Sequence, residues 1–171
     1  MTKMIFGKAL PFLLALSLCC MAFSSCDKDN NIKNGPGQQV NYSGELISKG
    51  VCNAFGVSSE AAMMNYVAET GIYYIDCFYN GVGSFGFTWD QKTNNLSLID
   101  FPTGLHNGFY PIDFLSQKDY EAEMGDRAEP SFYDPEKDVF TFNVLYETAI
   151  DDGVLVHNTT TITYKPKKED S

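Results

Sequence analysis

The stretch that decides the fold is Gly71-Ile72-Tyr73-Tyr74-Ile75-Asp76-Cys77-Phe78-Tyr79-Asn80-Gly81, followed by Val82-Gly83-Ser84-Phe85-Gly86-Phe87-Thr88-Trp89-Asp90. Ile72 to Phe78 is rich in aromatic and β-branched residues, which pack well on a pleated surface. Tyr73, Ile75 and Cys77 fall on one face at a period of two. Asn80-Gly81 is a hairpin signal, because both residues tolerate positive φ. Phe85, Phe87 and Trp89 then alternate with Gly86, Thr88 and Asp90, a second strand with one apolar face. After a polar turn from Asp90 to Asn95, Leu96 to Phe101 resumes as a third strand. Three strands joined by short turns make an up-down meander.

The same period continues outward in both directions. Phe140, Phe142, Val144 and Tyr146 share one face of Val139–Thr148, the clearest strand in the chain. Asp151-Asp152-Gly153 turns the chain into a long Thr-rich strand, Val154 to Tyr164. Asp134-Pro135-Glu136-Lys137-Asp138 reads as a turn with proline at its second position, after a short extended piece at Ser131 to Tyr133. Towards the N-terminus, Tyr42 to Val51 is expected as the first strand. Met63 to Ala68 is expected to pair with Ile72–Phe78 across Glu69-Thr70-Gly71. A helix over Ala61 to Met64, capped by Ser58 or Ser59, is the competing reading. Phe101 to Tyr120, broken by Pro102, Gly104, Gly108 and Pro111, reads as irregular, with a short helical turn over Gln117 to Met124. The expected class is all-β: an antiparallel sandwich or barrel, with a calycin-like barrel as the alternative.

Ahead of this domain lies a different kind of sequence. Lys3 and Lys8 precede an apolar run from Ala9 to Met21, too short to span a bilayer comfortably and suited to a signal-peptide core. Phe23-Ser24-Ser25-Cys26 resembles the lipobox of bacterial lipoproteins. The resemblance implies cleavage between Ser25 and Cys26 and lipid attachment at Cys26; Phe23 departs from the usual aliphatic residue. Cys19 and Cys20 are rivals with bulkier residues before them. The acidic Asp27-Lys28-Asp29 resembles the export signal of surface lipoproteins in Bacteroidetes, which implies an outer-membrane location facing the exterior, the periplasmic face being the alternative. Asp27 to Gln39 is too polar to bury a core and reads as a tether. The division expected is therefore 1–25 signal peptide, 26–39 tether, 40–164 β domain and 165–171 polar tail. Gly71-Ile72-Tyr73-Tyr74-Ile75, Phe85-Gly86-Phe87-Thr88-Trp89-Asp90 and Phe140-Thr141-Phe142 are similar to small β-rich domains of Bacteroidetes lipoproteins, which implies a fold class and a location rather than an activity.

Residues 1–25 carry two lysines and no acid, so removing them takes the net charge from −10 to −12. Such a chain repels nucleic acid and anionic headgroups. Two acyl chains or more would hold it stably on a membrane. Cys52 and Cys77 could form a disulfide in an oxidising envelope, or remain as buried free thiols. The two histidines, His106 and His157, stand in no triad-like pattern, and no Gly-x-Ser-x-Gly elbow surrounds a serine. Asp76, Asp90, Asp100 and Asp113 are the acids a glycosidase pair would draw on. Neither Asp134–Asp138 nor Asp151–Gly153 matches a calcium loop. No catalytic residue, metal or cofactor is expected. Trp89, Tyr110 and Tyr133 are the candidate ligand-binding aromatics, with Tyr110 and Tyr133 expected on exposed turns. The expected role is a non-catalytic binding module for glycans or an envelope protein partner. A structural subunit or inhibitor of an envelope complex is the alternative, and an envelope hydrolase trails both.

Overall fold

Tight turns set the register of this chain. The computed structural model describes residues 44–150 and 153–168. Tyr79 pairs with Val82 around Asn80 (φ 47°) and Gly81 (φ 81°), the left-handed pair that matches strand twist. Ala54 pairs with Val57 around Phe55 (φ 52°) and Gly56 (φ 75°), the same geometry with a bulky first residue. The strands are β1 (Glu45–Ala54), β2 (Val57–Val67), β3 (Ile72–Tyr79), β4 (Val82–Asp90), β5 (Asn95–Leu98), β6 (Phe101–Asn107), β7 (Tyr110–Phe114), β8 (Ser131–Asp134), β9 (Val139–Ala149) and β10 (Leu155–Pro166); helix α1 (Gln117–Met124) lies between β7 and β8.

Strand order is β10-β1-β2-β3-β4-β5-β8-β9, and β9 pairs back onto β10 from Leu155↔Ala149 to Tyr164↔Phe140. The result is a closed eight-stranded antiparallel barrel with the β6/β7 hairpin added. Of the two architectures expected, the barrel forms rather than the sandwich. The reason is that β9 is long enough to be paired on both sides: β10 takes one edge throughout. The other edge is shared, Val139–Thr141 going to β8 and Tyr146–Thr148 to β7. Closure leaves the ring without free edges.

Several expected boundaries move. β1 and β2 meet at Phe55-Gly56, so β2 takes in the stretch where a helix competed. Ser59 does not cap a helix: its hydroxyl donates to the Cys77 carbonyl at 2.6 Å and accepts from the Gly81 amide at 3.0 Å. Phe101 to Tyr120 is largely ordered, contrary to expectation. Pro102 lies in β6, the last strand in the order, where a missing N–H is tolerated. Gly104 (φ 74°) sits in the register shift between Pro102 and Leu105, and Thr103 Oγ1 spans it, bonding the Ile112 carbonyl and the Leu105 amide. α1 forms as expected, capped by Ser116, whose hydroxyl accepts from the Asp119 amide.

The core fills the barrel with aromatic rings. Phe85, Phe87 and Phe142 are fully buried, with Phe142 meeting the other two edge to face at 5.0 and 4.9 Å. Each such ring contributes about 1.5–3 kcal/mol by burial. The one-face pattern of β3 fails at Cys77, which takes φ 57° in a bulge; beyond it Phe78 returns to the core against Phe85 and Phe114.

Candidate functional site

The inward face of β9 explains where a site can exist. Phe140, Phe142 and Val144 are buried in the packed core, but the same alternation continues upward through Tyr146, Thr148 and Ile150. These upper residues line a cleft of about 650 Å³. β10 contributes Val156 and Asn158 by the same period of two, above the buried Ile162 and Tyr164. Opposite stand Leu105, His106 and Asn107 of β6 and Ile112 of β7, while Phe55 comes from the β1/β2 turn and Tyr79 and Val82 are the strand residues that flank the β3/β4 turn. The cleft is therefore a barrel mouth whose floor is the phenylalanine core.

Phe55 is the most constrained residue of this mouth. Its ring lies 5.2 Å from Tyr146 and 5.9 Å from Tyr79, both edge to face, and 6.3 Å from Phe114. A bulky side chain at positive φ is an outlier that its surroundings must enforce. Here three rings hold it.

The polar side chains of the lining are few. Asn107, Asn158 and His106 are exposed, and Thr148 is buried. Among the described residues lining the cleft there is no lysine, arginine, aspartate or glutamate. Acids stand behind the wall instead. Asp113 pairs with Glu147 across β7 and β9, on the face opposite Ile112 and Thr148. Partial burial and then the neighbouring Glu147 raise the Asp113 carboxyl above its ordinary value, His106 opposing them. Exposed apolar side chains crown the same end: Phe109 at the β6/β7 tip, fully in solvent, and Ile150, Val154 and Leu155 around the β9/β10 turn.

The expected aromatic candidates do not form one site. Trp89 and Tyr133 pack together at the far end of the barrel, their rings 5.1 Å apart and both against Phe140. Tyr133 is thus a packing residue, contrary to its expected exposure; its hydroxyl donates to Asp138 Oδ1 at 3.1 Å. The indole Nε1–H of Trp89 is buried with no partner among the described residues. Tyr110 starts β7 beside Phe109 and Ile150, in a smaller hollow next to the mouth. Sequence reasoning missed the cleft because its residues come from six strands and two turns. The available signal was the β9 alternation, which runs past Tyr146 through Thr148 to Ile150.

Other candidates are engaged singly. Asp76 is buried, accepting from Ser84 Oγ at 2.6 Å and Asn65 Nδ2 at 2.5 Å. Asp90 caps its own turn through the Lys92 amide and Thr93 hydroxyl, and Asp100 accepts from the Ser116 amide. None lines the cleft. His157 is on the outer face, 3.1 Å from Glu147. Asp134 accepts from the Glu136 and Lys137 amides, an ordinary turn. Cys52 and Cys77 are buried and are not joined in a disulfide; β2 lies between their strands. Burial pushes the Cys52 thiol up to about 12. Among the described residues, no group of three or more acidic, histidine or cysteine side chains is placed to hold a metal. Ser25 and Cys26 lie outside the described residues. No match was found among known protein families, curated proteins or solved structures.

Proposed function

We propose that this chain is a lipid-anchored protein of the bacterial outer membrane, facing the exterior, that acts as a non-catalytic binding module through the mouth of its barrel. The observation that carries the binding role is the cleft over the phenylalanine core. Its volume lies within the range of small-molecule sites, about 300–1,000 Å³, and barrel mouths are a common place for them. β1 begins at Glu45, paired with Tyr66 next to the β2/β3 turn, and the cleft lies at the other end, where β1 finishes. A reading based on glycan stacking by Trp89 and Tyr133 loses its support, since both rings are packed.

Two measurements test this. Cys26→Ala should abolish labelling by a fatty-acid probe, and protease treatment of intact cells should remove the domain; retained label or full protection would overturn the anchor or its orientation. Thermal-shift screening of small molecules and glycans should give hits that vanish in Val156→Trp, which fills the cleft. Hits that survive the filled cleft would place binding elsewhere. The exposed tips at Phe109, Ile150, Val154 and Leu155 favour a second reading, a subunit that docks an envelope protein by its hairpin ends. Crosslinking in cells followed by purification would return that partner, and a clean monomer counts against it.

A further inference from the structure

The chemistry of the cleft restricts its occupant more than its size does. We infer that it takes an uncharged, mainly apolar small molecule carrying one hydrogen-bonding end, and rejects carboxylates of the same apolar shape. This rests on the reading of the barrel mouth as the binding site. The lining is mainly apolar: Phe55, Leu105, Ile112, Tyr146, Ile150 and Val156. An apolar body seated there leaves water and gains about 25 cal/mol per Å². Among the lining residues, the exposed Asn107 and Asn158 each offer an amide donor and acceptor, and the exposed His106 adds a ring nitrogen. One polar end of a ligand can therefore be satisfied while its body is buried.

Charge decides what that end can be. A carboxylate entering the cleft loses water and finds no lysine or arginine among the described lining residues. It also meets the negative field of Asp113 and Glu147 behind the wall, on a chain whose sequence from residue 26 onward carries a net charge of −12. An ammonium is attracted by that field at long range, but no carboxylate among the described lining residues can pair with it once it is desolvated. Neutral ligands pay neither penalty.

A matched series separates these cases: decanol, decanoate and decylammonium, titrated by calorimetry or native mass spectrometry into the purified protein at about pH 8, where decanoate is ionised. Decanol should bind at least about tenfold more tightly than either ion, a gap of about 1.4 kcal/mol or more. Asn158→Lys, at an exposed position of the lining, should narrow or reverse the gap for decanoate. Val156→Trp should weaken decanol. If the wild-type protein binds decanoate or decylammonium as tightly as decanol, and Val156→Trp still blocks them, the ligand class is wrong while the site stands. If all three bind and Val156→Trp changes nothing, or none binds to protein shown folded by circular dichroism, the site itself fails and the class falls with it.

Discussion

Phe55 gives a prediction in which packing and backbone strain pull in opposite directions. Truncating its ring removes contacts to Tyr79, Phe114 and Tyr146. At about 1 kcal/mol per aromatic pair, the loss approaches 3 kcal/mol. The backbone at φ 52° contributes in the other direction, since a left-handed conformation costs an L-residue about 1–2 kcal/mol and glycine much less. Phe55→Ala keeps the strain and loses the rings, so it should be destabilised by about 3 kcal/mol. Phe55→Gly loses the rings and relieves the strain, so it should be destabilised by about 2 kcal/mol. Glycine would thus be better than alanine, the reverse of the order within a strand. Urea unfolding followed by Trp89 fluorescence measures both, because Trp89 is the sole tryptophan and sits at the far end of the barrel. A glycine variant less stable than the alanine variant would refute the strain, and an alanine variant within about 0.5 kcal/mol of wild type would refute the packing.

Three further outcomes follow from the same packing. Burial raises the Asp76 carboxyl above its ordinary 3.8, against the bonds from Ser84 and Asn65. The folded state therefore holds that proton more tightly than the unfolded chain, and wild type loses stability as pH rises from the unfolded value through the folded one. Asp76→Asn, which can keep both bonds if the Asn65 amide turns over, should gain on wild type across that window; unfolding curves between about pH 3.5 and 7 would contradict this if wild type gained instead. Gly50→Ala places a Cβ 2.5 Å from the Tyr164 ring and 2.6 Å from the Lys165 carbonyl, and Tyr164 is anchored through its hydroxyl to Ser48. A loss of about 3 kcal/mol in denaturant is expected, and an unchanged midpoint would refute the close approach. Trp89→Phe deletes a buried N–H that has no partner among the described residues, relieving about 1–3 kcal/mol against the lost ring area. It should leave the thermal midpoint unchanged or higher, and a large fall would mean that the N–H is satisfied.

Strand periodicity carried most of the fold. The Asn80-Gly81 turn, the Phe85/Phe87/Trp89 face and the Phe140/Phe142/Val144 face all stand where alternation places them, because each strand has one face on the barrel interior. The Phe55-Gly56 turn was not legible: phenylalanine is a poor residue for that geometry, and three distant rings enforce it. Pro102, Gly104, Gly108 and Pro111 suggested irregular chain, yet the bulge at Gly104, with Thr103 bridging it, turns those breakers into a hairpin. Barrel closure was equally hidden, since it depends on which strands meet both edges of β9. In the sequence, Tyr110 and Tyr133 stand out as candidate aromatics by their place in turn-rich segments. Turn residues at a barrel end can still pack inward, as Tyr133 does against Phe140 and Trp89.

The most direct test of the cleft as the binding site is a backbone amide NMR titration with decanol. Shift changes should concentrate at residues 104–107, 112, 146–150 and 156–158, with residues 88–90 and 132–134 at the opposite end unmoved. Changes centred on Trp89 and Tyr133 instead, or spread evenly over the barrel, would contradict it.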